Sequence, residues 1–213
     1  MVGDELGETT VDPQDDAATS QSGGSMWARV MDELDRLDRG IYVAIADSAT
    51  STIDEPLRRL SNSANYSKIW IAAAAAMVVL GGRPGRRAAL SGLVSIGVTS
   101  ALVNQGVKRL ADRPRPDRDG EDVPGTRFVH MPESTSFPSG HSASGFAFAT
   151  TVGSSLPVVG AALRFLAGAV AYSRVHTGVH YPGDVVIGSL IGGSIGGLVS
   201  WVTRPRNKSE PAS

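Results

Sequence analysis

The chain has 213 residues, 41% of them hydrophobic, with 20 Lys and Arg against 21 Asp and Glu and no cysteine. That length suits one domain with a sizeable core, and the missing cysteine excludes disulfides and thiolate metal sites. The formal net charge of −1 hides an asymmetry: residues 1–25 carry six acids and no Lys or Arg, which leaves the remainder at about +5.

In chain order, residues 1–25 combine those acids with Gly, Ser and Thr, the composition of a disordered tail. No basic region followed by an apolar run opens the chain, so a cleavable secretory signal is not expected. Trp27, Val30, Met31, Leu34, Leu37 and Ile41 then recur at three- and four-residue spacing with charges between them. Residues 26–46 therefore read as an amphipathic helix, lying at a membrane interface or packed on the body. Residues 50–67 are polar and mixed, and 26–67 is taken as an amphipathic helical N-terminal region.

From Lys68 the character changes. Five apolar blocks follow: Ile69–Gly82, Ala88–Val107, Ser142–Leu156, Val158–Tyr172 and Val185–Val202. A spanning helix needs about 20 mainly apolar residues, with about 17 as the lower limit, so the second and fifth qualify alone and the others must borrow flanking residues. Residues 68–203 are read as the membrane core and 204–213 as a second disordered tail. Arg83, Arg86 and Arg87 follow the first block, and Arg204, Arg206 and Lys208 follow the fifth. The positive-inside rule makes both ends cytoplasmic. Alternation then turns the second, third, fourth and fifth blocks outward, inward, outward and inward, with the N-terminal tail outside. Arg164, within the fourth block, can snorkel toward the cytoplasmic end. Gly188, Gly192 and Gly196, and likewise Gly193 and Gly197, form small-residue faces for close helix approach. Trp27, Trp70 and Trp201 read as interface anchors, and Arg109, Arg113, Arg118 and Arg127 as mainly solvated or topological charges, with Arg113 also a candidate phosphate contact.

This topology brings three polar clusters to the outer face. Lys108 and Arg115 follow the second block, Pro138-Ser139-Gly140-His141 opens the third, and Arg174, His176, His180 and Asp184 join the fourth to the fifth. Arg115 and Arg174 offer planar forks and Lys108 a point charge to a phosphoryl group that spreads negative charge over three oxygens. Ser139 and the N–H groups of Gly140 and His141, at a helix start, add donors. Asp184, four residues after His180, can orient its ring and leave the other nitrogen free to attack phosphorus. His141 can then protonate the leaving oxygen and later help activate water.

These residues resemble the signature of the type 2 phosphatidic acid phosphatase superfamily, which also includes the vanadium haloperoxidases. Its first motif, Lys, six residues, then Arg-Pro, matches Lys108 and Arg115-Pro116. The second, Pro-Ser-Gly-His, matches Pro138 to His141, and the third matches Ser173-Arg174, His180 and Asp184. The resemblance implies that Lys108, Arg115, Ser139, Gly140 and Arg174 bind phosphate, with His141, His180 and Asp184 catalytic and no metal or other cofactor. Membrane members of the family usually have six spans, so the polar region before Lys68 stands where a first span would be.

Other readings are weaker. His176, His180 and Asp184 share four-residue spacing suited to zinc, but Pro182 and Gly183 interrupt any common helix; His176 is expected to pack or hydrogen-bond. His130, in the loop 117–137, has no motif support. Nucleic-acid binding lacks an aromatic platform or a reading helix. A vanadium haloperoxidase and an inactive membrane scaffold are the distant alternatives. The expectation is an all-α, multi-span membrane bundle with its site at the extracytoplasmic end. Its partners are the bilayer and a lipid phosphate, of phosphatidic acid type first and undecaprenyl (polyprenyl) diphosphate second. Nothing in the sequence sets an oligomeric state.

Overall fold

The structure is a computed structural model that describes residues 25–204. The two expected disordered tails, apart from Ser25 and Arg204, lie outside the described residues. Two compact units divide at Leu37 and Asp38. In the first, the opening part of α1 (Met26–Ala46) leaves Trp27, Met31 and Leu34 exposed.

The second unit is helical throughout its regular structure, with no strand among the described residues. After the end of α1 come α2 (Ser51–Ser63), α3 (Lys68–Leu80) and α4 (Gly82–Ala101). A π-helical stretch, Leu102–Val107, carries α4 into the single turn α5 (Lys108–Leu110). A long loop leads to α6 (Gly140–Gly153), α7 (Pro157–His176) and α8 (Pro182–Thr203). Prolines at the first turns of α7 and α8 fit because those N–H groups have no intrahelical partner.

Among the described residues three helices are long and apolar enough to cross a membrane: Gly82–Leu110, Pro157–His176 and Pro182–Thr203. Counting Ser51–Ser63 and Asn65–Leu80 as one span bent by 68° makes four. Most of the polar stretch 50–67, read from sequence as part of a helical N-terminal region, is the helix α2, which meets the first apolar block at a sharp break. Tyr66 and Ser67 adopt left-handed backbone angles there. The fourth block reaches spanning length by taking in Ser173–His176.

The third block behaves differently. With 14 residues, α6 is about 21 Å long, too short to cross a hydrocarbon layer of about 30 Å alone. It packs among α4, α7 and α8, with Pro138 and Ser139 before it buried and Ser154 and Ser155 after it exposed. Sequence explains the closeness: a Cβ at Gly188, Gly192 or Gly196 of α8 would collide with the carbonyl of Ser139, Ala143 or Ala147 on α6. Gly193 and Gly197, the other small-residue face, are open or barely touched.

Trp70 corrects the reading of it as an interface anchor. It is 1% exposed, 6.0 Å from the Phe148 ring, and so close over Gly145 that a Cβ there would come within 2.7 Å of its ring. The residue lies in the core between α3 and α6, whereas Trp201 is 68% exposed. Arg127, expected on the surface, is also buried, at 1% exposure. It pairs with Asp54 of α2 at 2.9 Å and donates to the carbonyls of Ile45, Ala46 and Ser48. Burial of the guanidinium is tolerable because its charge is matched and its donors are used.

Candidate active site

The three sequence clusters meet where α5 ends and α6 and α8 begin. The Ser139 N–H donates to the Asp184 carbonyl at 2.9 Å, tying the start of α6 to the start of α8. Between them α7 ends at His176, and Gly178, with φ of +68°, turns the chain back. That left-handed angle favours glycine, and a Cβ would also strike Arg118. The turn delivers His180 just before α8.

His180 is 1% exposed. Its Nδ1 lies 3.4 Å from Asp184 Oδ2 and its Nε2 lies 3.4 Å from Arg115 Nη1. A guanidinium only donates, so Nε2 presents its lone pair and Nδ1 carries the proton toward Asp184. Burial, the largest influence, pushes the imidazole down to about 4; Asp184 opposes it, and the Arg174 and Arg115 cations reinforce it. The ring is therefore neutral at neutral pH.

Asp184 is held from several sides. Its Oδ2 accepts from Ser136 Oγ and, at 2.9 Å, from the Tyr181 N–H, the latter capping the first turn of α8. Its Oδ1 accepts from Arg113 Nη1 at 2.9 Å. Arg113 also pairs with Asp38 at 2.7 Å and lies 4.2 Å from the Tyr181 ring centre. Burial lowers the Arg113 guanidinium's pKa, but Asp38 and Asp184 together hold it above its ordinary value. Arg113 is thus a support for the carboxylate; this was not separable in sequence from a surface charge.

A cavity of about 510 Å³ opens over this assembly, lined by Lys108, Arg115, Gly140, His141 and His180 among others. Arg115 is fixed by donating to the carbonyls of Val179 at 2.6 Å, Ser134 at 2.8 Å and Thr135 at 3.2 Å. Lys108 Nζ donates to Ser134 Oγ at 3.0 Å. Ser139, Arg174 and Asp184 are not on the cavity wall but buried behind it. Ser139 Oγ accepts from Ser142 Oγ at 3.0 Å and from the Ser142 N–H at 3.5 Å, the latter capping α6. Arg174 donates through Nη1 to Ser61 Oγ at 2.7 Å, while its buried Nε has no hydrogen-bond partner.

Two contributors escaped the sequence reading. Asn65, at the break between α2 and α3, places Oδ1 3.0 Å from His141 Nε2. Ser61 supports Arg174 from the same segment. Neither sits at a diagnostic spacing, and only the bend brings them to the site. His130 lines the cavity as well. His176 Nε2 binds Asp54 at 2.9 Å, the hydrogen-bonding role expected of it. Among the described residues no group of three or more His, Asp or Glu is disposed to hold a metal ion.

The profile of the PAP2 superfamily matches residues 88–208, a segment that contains all three clusters. The chain belongs to the PAP2 superfamily. The decaprenylphosphoryl-5-phosphoribose phosphatase of Mycobacterium tuberculosis is 37% identical over 107 residues, 48% of this chain and 55% of that protein. Its counterpart from Mycolicibacterium smegmatis is 34% identical over 134 residues, 62% and 68% of the two chains. The match thus spans little more than half the length of the M. tuberculosis relative. Among solved structures, the transmembrane PAP2 type phosphatidylglycerolphosphate phosphatase from Bacillus subtilis superposes with a TM-score of 0.64 at 23% identity, covering 84% of this chain and 90% of that one. Aquifex aeolicus LpxE gives 0.63 at 24%, covering 76% and 94%. These two likenesses are of fold: an integral membrane helical bundle. Asp38, Asp54, Ser61 and Asn65, which support the site from outside, all precede the matched PAP2 segment.

Proposed function

We propose that this PAP2 protein removes a terminal phosphate from a membrane lipid through a phosphohistidine formed on His180. The observation that carries the reading is the His180 ring itself, oriented by Asp184 on one nitrogen with the other facing Arg115 in a cationic cavity that also holds His141.

In the first step His180 Nε2 forms a bond to phosphorus while the bond to the ester or pyrophosphate oxygen breaks. His141 gives that oxygen its proton. Lys108 and Arg115, on the cavity wall, hold the equatorial oxygens, and Arg174 joins them once substrate draws its guanidinium, whose buried Nε has no hydrogen-bond partner, forward from behind the wall; the Gly140 and His141 N–H groups stand at the α6 start. Asp184 steadies the imidazolium charge. In the second step His141 takes a proton from water, whose oxygen attacks phosphorus, and His180 leaves with its lone pair restored. Asn65 acts as a positioning residue: by accepting from His141 Nε2–H it keeps the acid's proton at the cavity.

Within the class of lipid phosphates, a polyprenyl-linked sugar phosphate ranks first, because two relatives at 34% identity or more are phosphatases of a decaprenylphosphoryl-5-phosphoribose. A phosphatidic acid-type ester, expected from the motifs alone, ranks second and polyprenyl diphosphate third. The cavity lies at the end of the bundle opposite Arg83, Arg86 and Arg87, so the positive-inside rule turns the site to the extracytoplasmic side.

The test is phosphate release by detergent-purified protein from these three substrate types with EDTA present. Release sustained in EDTA and greatest from the polyprenyl sugar phosphate is the expected result. No release from any of them would overturn the reading and restore the scaffold alternative; peroxide-dependent halide oxidation with vanadate would instead restore the haloperoxidase.

A further inference from the structure

A second cavity, of about 770 Å³, lies at the far end of the bundle, among the first turns of α4, the end of α6 and the end of α8. Arg83, Arg87 and Arg204 line it, with Ser154, Ser155 and Thr203 between them. The 22 residues of α8 put about 33 Å between this end and the end at Asp184, so the two cavities are separate sites.

Charge is unbalanced here. Between Lys68 and Ala111 there is no Asp or Glu, and between Ser139 and Arg204 only Asp184, which is at the other end. All three lining arginines are exposed, and Arg164, exposed on the second turn of α7, adds a fourth cation close to Gly153. Guanidiniums that converge on one concavity without a carboxylate repel one another and favour an anion that accepts from several forks at once. The walls identify its source. Leu90 lines the cavity, and the same two helices carry exposed Val94, Leu198 and Trp201 down their outer faces, an apolar surface for acyl chains. Basic pockets between membrane helices at headgroup depth suit anionic lipid.

We propose that this cavity binds the phosphodiester headgroup of an anionic phospholipid in the leaflet opposite the catalytic cavity. Arg83, Arg87 and Arg204 donate to the phosphate oxygens, and the lipid chains lie along α4 and α8.

The full chain in phosphatidylcholine nanodiscs, with and without phosphatidylglycerol, provides the test. Phosphatidylglycerol is a diester and offers no terminal phosphate to the His180 site. Bound lipid is counted by native mass spectrometry and Tm is followed in parallel. In the wild type, phosphatidylglycerol should raise Tm and remain bound. The triple variant Arg83→Gln, Arg87→Gln, Arg204→Gln should match the wild-type Tm in phosphatidylcholine alone and bind phosphatidylglycerol on the order of tenfold more weakly or worse. Arg87→Gln alone, which removes one exposed side chain, should weaken binding severalfold. Inorganic phosphate added to phosphatidylcholine discs should leave Tm unchanged. Equal retention of phosphatidylglycerol by wild type and both variants would overturn the proposal, as would inorganic phosphate reproducing the stabilisation.

Discussion

At the scale of single residues the site turns on which nitrogen holds a proton. Because burial holds the His180 imidazole at about 4, the ring stays neutral above that pH and, as the proposed nucleophile, is lost only as pH falls through it. The acid limb of kcat/KM assigned to His180 should therefore lie well below 6.5. Asp184 acts in the opposite direction, favouring the charged ring, so Asp184→Asn should move that limb to lower pH while lowering kcat; a limb moving upward would contradict the assignment. Asn65→Ala should cost about 10- to 100-fold in kcat on a lipid substrate, less than the roughly 10²–10⁴-fold of general acid catalysis as a whole, because it removes the positioning and leaves the acid. It should cost much less on p-nitrophenyl phosphate, whose leaving group needs little protonation. Equal losses on both would reduce Asn65 to a structural residue. That His180, His141 and Asp184 come together was legible in sequence from the four-residue spacing of His180 and Asp184 and from the helix topology that brings His141 to the same end. Asn65 was not, since its relation to His141 crosses 76 residues and exists only through the bend.

At the scale of helices, two contacts fix the site. Against α6, α8 presents Gly192 with no room for a side chain, whereas Gly197 faces open space. Gly192→Val should destabilise the protein by about 1–3 kcal/mol through overpacking, and Gly197→Val by far less; similar Tm losses for the two would count against the packing. Both glycine rows were visible in the sequence as equivalent four-residue repeats, and only the partner helix distinguishes them. The second contact is the Arg127–Asp54–His176 cluster, which ties the long loop to α2 and the end of α7. Arg127→Met leaves the Asp54 carboxylate buried without its cation, and a loss of about 3–5 kcal/mol is expected, measured as a fall in Tm. Sequence misplaced Arg127 and Trp70 for a shared reason: an arginine in a loop and a tryptophan near the start of an apolar block are exposed by default, and here α2 and Gly145 supply the burial.

For the whole molecule, the all-helical membrane bundle was legible from block lengths and from arginine placement, and its count of spans was not. Block length marks the third block as short, but cannot reveal that α6 gains no flanking residues and is surrounded by other helices, or that α2 and α3 form a bent pair. The orientation argument can be checked directly because the chain has no cysteine. Asp119→Cys, in the exposed loop at the site end, should react with a membrane-impermeant maleimide in intact cells, and Arg86→Cys at the other end only after permeabilisation. The reverse pattern would place the site in the cytoplasm.

The measurement that tests the central claim most directly is capture of the covalent intermediate. Wild-type protein is mixed with a lipid substrate carrying 32P in its terminal phosphate, quenched in alkali and digested. Label on the peptide containing His180, absent from His180→Ala along with phosphate release, is the predicted result. Label on another residue, or phosphate release surviving in His180→Ala, would contradict the account.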